Sequence, residues 1–185
     1  MLTSLALVFL VGLALAALCQ KLKLPRIIGM LAIDFKQHGR LSNNAVVVTG
    51  MSNLGLHRAM EQAGIRVEVT DVGDRYVIER MREGNFNVGG EQSGHIIFMD
   101  YATTGDGILS ALHVLGLMVR TGKPLAELAG FMKVFPQEIR SFPVARKVPF
   151  DQLSLLPAAM EECRRALGNS GRTIVRYSGT ENKIR

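Results

Sequence analysis

Between two apolar stretches, Gly89-Gly90-Glu91-Gln92-Ser93-Gly94-His95 sets a carboxylate, an amide, a hydroxyl and an imidazole on a backbone with three glycines. Lacking Cβ atoms, the glycines let the chain turn tightly and approach a ligand. Glu91 accepts hydrogen bonds and Ser93 both donates and accepts, which suits the hydroxyls of a small polyhydroxy ligand; an ordinary polar turn is the alternative. His95 is a candidate proton-transfer group, because imidazole titrates near neutral pH. A packed, hydrogen-bonded histidine heading a strand is the structural reading beside it. Arg176-Tyr177-Ser178-Gly179-Thr180 forms a second cluster. Its guanidinium can fork onto phosphate oxygens, the hydroxyls of Ser178 and Thr180 can donate, and Gly179 exposes backbone N–H groups. Lys183 and Arg185 add positive field; a surface turn with capping hydroxyls is the alternative. Asp74 and Arg75 follow Gly73 and read first as a helix cap, with Arg75 facing a cleft as the other possibility. His38, His57 and His113 fall in or at the ends of expected helices and read as structural or solvated.

The elements that position these groups follow from periodicity. Ala45 to Thr49 is a β-branched run, and Asn53 to Gly64 carries Leu54, Leu56, Ala59, Met60 and Ala63 at helical spacing. A second strand, Ile65 to Val69, precedes a helix over Asp74 to Arg82. After a turn at Gly84-Asn85 come Phe86 to Val88, the polar loop, and a fourth apolar run at His95 to Met99. Strands alternating with helices predict an α/β domain with a mainly parallel sheet and crossover helices, whose ligand loops follow strands. Asp106 to Val119 reads as a strong helix with Ile108, Leu109, Leu112, Leu115 and Leu117 inward, and Pro124 starts another. Phe135-Pro136 marks a domain boundary. Beyond it, loose alternation over Ile139 to Val148, a helix over Leu156 to Leu167 and a strand at Thr173 to Val175 suggest a truncated small α+β domain.

Composition excludes some functions and leaves others open. Hydrophobic content of 48% with 21% charged residues reads as globular, inflated by one apolar terminus. The net charge of +6 invites a nucleic-acid partner, but no Lys/Arg cluster interleaved with aromatics occurs, so none is expected. The excess suits an anionic sugar phosphate instead. Cys19 and Cys163 make neither a metal spacing nor a disulfide framework, consistent with a reducing compartment. Leu2 to Leu18 is almost wholly apolar. At about 1.5 Å per residue it approaches the roughly 30 Å hydrocarbon core, so a membrane helix over residues 2–19 is expected. A cleavable signal peptide or a buried soluble helix compete with it. Lys21, Lys23 and Arg26 after the run place the N-terminus outside and the remainder in the cytoplasm.

Gly89 to Phe98 resembles the sugar-binding loop of the α-D-phosphohexomutases, in the form of the bacterial phosphoglucosamine mutases. Met51 to Leu56, Val72 to Val77, Thr103 to Gly107 and Arg176 to Glu181 resemble the same family, making five ordered matches. The resemblance implies the α/β third domain over 32–135 and a fourth, phosphate-binding domain over 136–185. It implies that His95 and Arg75 lie at the reaction centre, that Glu91 and Ser93 bind sugar, and that Arg176, Ser178, Gly179 and Thr180 bind phosphate. The family interconverts glucosamine 6-phosphate and glucosamine 1-phosphate for cell-wall precursors, through a phosphoserine and a Mg²⁺ held by an aspartate-rich loop. Neither segment occurs here, and Asp100, Asp106 and Asp151 are too dispersed to replace the metal loop. No metal is expected in this chain, and turnover by this chain alone is not expected. Leu2 to Leu31 is similar to the N-terminus of Kef-type cation/proton antiporters, with a junction between Gly29 and Asp34. The alternatives to a mutase fragment are thus an anchored antiporter remnant over 1–31 and a tethered sugar-phosphate binding module.

Overall fold

The computed structural model describes residues 26–185, and the chain divides after Lys133 into two compact units. The expected membrane helix over Leu2 to Leu18 lies outside the described residues. Among the described residues, no helix is long and apolar enough to cross a membrane.

In the first unit, β1 (Ala45–Thr49) is buried at all five positions, as a strand covered on both faces must be. It pairs in parallel with β2 (Arg66–Thr70) and with β3 (Val88–Gly90), and β3 pairs antiparallel with β4 (Ile96–Phe98), giving the order β2-β1-β3-β4. The parallel expectation therefore holds for the first three strands. The fourth reverses because only Glu91 to His95 joins it to β3, a hairpin rather than a crossover.

Helix α1 (Ile27–Gln37) buries Ile28, Met30, Leu31 and Phe35 in the main core with Val46, Val48, Val88 and Phe98. The helix begins before the junction expected at Gly29 to Asp34, and its first turns are core residues of the α/β unit. Helix α2 (Leu54–Gln62) is capped by Asn53, whose side-chain oxygen accepts from Gly55 N at 2.9 Å. Helix α3 (Asp74–Glu83) differs from the expected cap: Gly73 is the N-cap and no side chain caps it. Asp74 is its first residue, where a carboxylate favours the helix dipole.

Helix α4 (Gly107–Thr121) starts under the Asp106 carboxylate, which accepts from Ile108 N and Leu109 N, and stops at left-handed Gly122. Its orientation departs from the sequence reading. Ser110, Val114 and Leu117 are buried, whereas Ile108, Leu112 and Leu115 are 78%, 60% and 55% exposed. A helix apolar around most of its circumference does not encode its own facing; here its partners decide. His113 enters an aromatic nest of Phe35, Phe98 and Tyr101, with centroids at 5.3, 4.4 and 5.3 Å. Burial pushes the His113 pKa down, helped by Arg40 and Arg120 and opposed by Asp34. The short α5 (Leu125–Leu128) follows Pro124.

The second unit has little interior. Helix α6 (Leu156–Leu167) contains no buried residue, β5 (Phe142–Pro143) and β6 (Lys183–Ile184) pair over two residues each, and among 134–185 only Ser178 is buried. Thr173 to Val175, expected as a strand, is irregular. The partner strand pairs further along instead: Arg176 and Arg185 exchange backbone hydrogen bonds at 2.9 and 2.8 Å, and Ser178 N donates to Lys183 O. Two-stranded ribbons without a core are marginal in water. Hydrogen exchange should therefore protect residues 45–130 and leave 140–185 largely open, a gap of about 3 kcal/mol in opening free energy or roughly a hundredfold in protection. Uniform protection across both ranges would contradict this.

Candidate functional site

Because β1, β2 and β3 run parallel, the segments after them, starting at Gly50, Asp71 and Glu91, gather at one end of the sheet. The polar loop is built there by backbone constraint. Glu91 N donates to His95 O at 2.9 Å and Gly94 N to Glu91 O at 3.1 Å. A Cβ on Gly89 would lie 2.4 Å from Met81 Sδ, and one on Gly90 would lie 2.3 Å from His95 O. The first glycine thus lets α3 pack on the sheet, and the second lets the two ends of the loop meet.

Within this frame four polar side chains converge. Glu91 Oε1 accepts from Gly73 N at 2.9 Å, and its Oε2 accepts from Ser93 Oγ at 3.4 Å. His95 Nδ1 stands 3.0 Å from Asp74 Oδ2. Gly105, in the turn before α4, would place a Cβ 3.4 Å from that of His95, so this turn packs against the imidazole's base. His95 nevertheless keeps 63% of its side chain exposed. A carboxylate, a hydroxyl and an accessible ring nitrogen on one rigid loop can donate to and accept from several hydroxyl groups of one small ligand.

Arg75, expected at the reaction centre with His95, pairs within its own helix. Its Nε donates to Glu79 at 2.7 Å one turn along α3, and its side chain is 81% exposed. Asp74 takes the place beside His95. Sequence reasoning missed this pairing because it spans 21 positions. The available signal was topological: a residue following β2 and one following β3 meet at the same end of a parallel sheet.

In the second unit, the backbone of Arg176 is paired with Arg185, and its Nε is buried with no hydrogen-bond partner. Ser178, expected to face phosphate, is 2% exposed, and its Oγ accepts from Glu181 N at 3.3 Å. Gly179 and Thr180 are exposed at the turn. The positive field credited to Lys183 and Arg185 is offset, because both donate to Glu181. The Lys183 hydrogen bond in turn holds the Glu181 carboxyl below its usual range. Tyr177 stacks on Phe150 at 4.8 Å, and its hydroxyl oxygen accepts from Val148 N.

Among the described residues, Asp74, Glu91 and His95 bring potential metal-ligand atoms within 4.8 Å of one another. An imidazole in the set, and carboxylates already engaged by His95 and Gly73, differ from the oxygen octahedron that Mg²⁺ takes. The trio does not fit Mg²⁺.

Fold and loop together define an α/β unit with a polar cluster at the carboxyl ends of its parallel strands, followed by a small α+β unit. The chain belongs to the phosphoglucomutase/phosphomannomutase family: the family's alpha/beta/alpha domain III matches residues 25–135, and its C-terminal domain matches residues 119–185. The chain is 48% identical over 160 residues to the phosphoglucosamine mutase of Shouchella clausii, covering 86% of this chain and 36% of that protein. It is 52% identical over 155 residues to that of Koribacter versatilis, covering 83% and 34%. The chain thus spans about a third of the length of these relatives. In fold it is similar to Aspergillus fumigatus N-acetylphosphoglucosamine mutase, solved with GlcNAc-6P and magnesium, at a TM-score of 0.72 and 19% identity over 88% of this chain and 42% of that one. The family match opens at residue 25, within the segment expected to be antiporter-like.

Proposed function

We propose that this chain is the sugar-binding and phosphate-binding part of a phosphoglucosamine mutase and that it binds glucosamine 6-phosphate or glucosamine 1-phosphate. The observation that carries this reading is the convergence of Glu91, Ser93 and His95 on one backbone-braced loop at the carboxyl end of β3. Glu91 accepts from the sugar's hydroxyl or ammonium groups, Ser93 bridges, and His95 offers its exposed ring edge. Arg176, Gly179 and Thr180 meet the phosphate, with Ser178 bracing their turn. Interconversion of the two phosphates also needs the family's phosphoserine and its Mg²⁺ loop, so this chain's share is binding.

The sugar contacts sit on the unit with the core, and the phosphate contacts sit on the unit without one, so the former should dominate. Each hydrogen bond is worth about 1 kcal/mol net, rising to about 1.5–3 with a charged partner. Without an ordered phosphate clamp the affinity should be millimolar. Titrating glucosamine 6-phosphate into the isotopically labelled chain should shift the backbone amides of Gly90 to His95. Glu91→Ala should weaken binding by roughly tenfold or more, and Arg176→Ala should change it by no more than about twofold. No shift at Gly90 to His95 would sink the proposal. Abolition by Arg176→Ala would show instead that the phosphate turn carries the affinity.

A further inference from the structure

We infer that Asp74 is a positioning residue for His95: it holds the imidazole in the Nδ1–H tautomer, so that Nε2 is presented to the sugar as an acceptor. The inference rests on the proposed sugar site for its purpose and on local geometry for its content.

The geometry is specific. Asp74 Oδ2 lies 3.0 Å from His95 Nδ1, and its side chain is the more buried of the two, at 35% exposure against 63%. A carboxylate is only an acceptor, so a neutral ring that bonds to it through Nδ1 carries its proton there. The other ring nitrogen then has a bare lone pair. Neither partner is adrift. Asp74 is the first residue of α3, fixed to the helix, and the His95 backbone is pinned by the bond from Glu91 N and by Gly105 against its Cβ. The same dipeptide also holds the loop's other key group, because Gly73 N donates to Glu91 Oε1. One helix start therefore orients both side chains, Glu91 through a backbone N–H and His95 through a carboxylate. A histidine side chain free in water favours the opposite tautomer, with the proton on Nε2. In that form His95 would offer the ligand a donor and could not take a hydroxyl proton. Setting the tautomer by a carboxylate behind the ring converts it to an acceptor, the logic by which an acidic partner orients histidine in hydrolytic triads.

The test reads the ring itself, without ligand, so its outcome is independent of whether the sugar binds. Long-range proton–nitrogen correlation on the ¹⁵N-labelled chain at pH about 8.5, above the ordinary imidazole range, reports which nitrogen of His95 is protonated. His95→Gln identifies the signals. The expected result is Nδ1–H in the parent chain, a switch to mostly Nε2–H in Asp74→Ala, and recovery of Nδ1–H in Asp74→Asn, whose amide oxygen still accepts. The parent spectrum alone decides the matter if Asp74→Ala does not fold. Nε2–H in the parent chain, or an unchanged Nδ1–H in a folded Asp74→Ala, overturns the inference.

Discussion

Gly90→Ala should destabilise the first unit by roughly 3–7 kcal/mol and abolish ligand-induced shifts in the loop. Gly90 has φ near +158, a region that is essentially glycine's alone, and a side chain held there costs about 1–3 kcal/mol. The added methyl would also meet His95 O at 2.3 Å, Ile96 Cα at 3.0 Å and His95 C at 3.2 Å. All three are backbone atoms, and none can rotate aside. Relief requires β3 and β4 to part, which adds an overpacking cost of about 1–3 kcal/mol. It also breaks the bond from Glu91 N to His95 O, worth about 1 kcal/mol. Against a usual domain stability of about 5–15 kcal/mol this is a large fraction. With urea slopes of about 1–3 kcal/mol per molar, the unfolding midpoint should fall by more than about 1 M. Gly94→Ala is the control: Gly94 also has positive φ, but nothing lies within 4 Å of its added Cβ, so its cost should stay near 1–2 kcal/mol. A Gly90→Ala midpoint no lower than that of Gly94→Ala would refute this account of the loop.

Phe98→Ala should cost about 3–5 kcal/mol, the usual range for emptying a buried aromatic site. Phe98 is fully buried on β4, stacked on Phe35 at 5.6 Å and tilted against His113 at 4.4 Å. Its ring ties α1, the sheet and α4 together, so collapse around the void is restricted on three sides. The histidine supplies a second readout. Burial lowers the folded-state pKa of His113, so the unfolded chain binds the proton more readily. The stability this contributes is fully present above the ordinary imidazole value of about 6.5 and is lost as pH falls from there through the folded value. Opening a void beside the ring should hydrate it, move the pKa back toward the ordinary value and flatten this pH dependence. Urea midpoints between pH about 7.5 and 5 would measure both effects. A loss under about 1 kcal/mol, or an unchanged slope with pH, would show that Phe98 does not tie these elements together.

The elements that local chemistry writes into the chain were legible before any fold was known. Strand β1 announces itself as Ala45-Val-Val-Val-Thr49, α2 and α4 begin at residues able to cap them, and Gly64 and Gly122 end α2 and α4 in the left-handed conformation. The polar loop was legible for the same reason. Its glycines, carboxylate, hydroxyl and imidazole are contiguous, and their order carries the family resemblance. What depends on facing was not legible. The apolar stripe of α4 could have turned Ile108 or Val114 inward, and only the presence of Phe35 and Phe98 beneath it selects Val114 and His113. Whether Thr173 to Val175 or Arg176 to Ser178 pairs with the last residues is likewise decided by the strand opposite.

The sequence by itself determined the chemical inventory of the site and the alternation of strands and helices, because each is carried by neighbours along the chain. Only the tertiary structure decided that Asp74 stands beside His95 and that Gly73 holds Glu91. Both are contacts between segments following different strands, brought together by parallel pairing. Which group meets which is a property of register and helix rotation, and these are set by packing rather than by any residue's own preference.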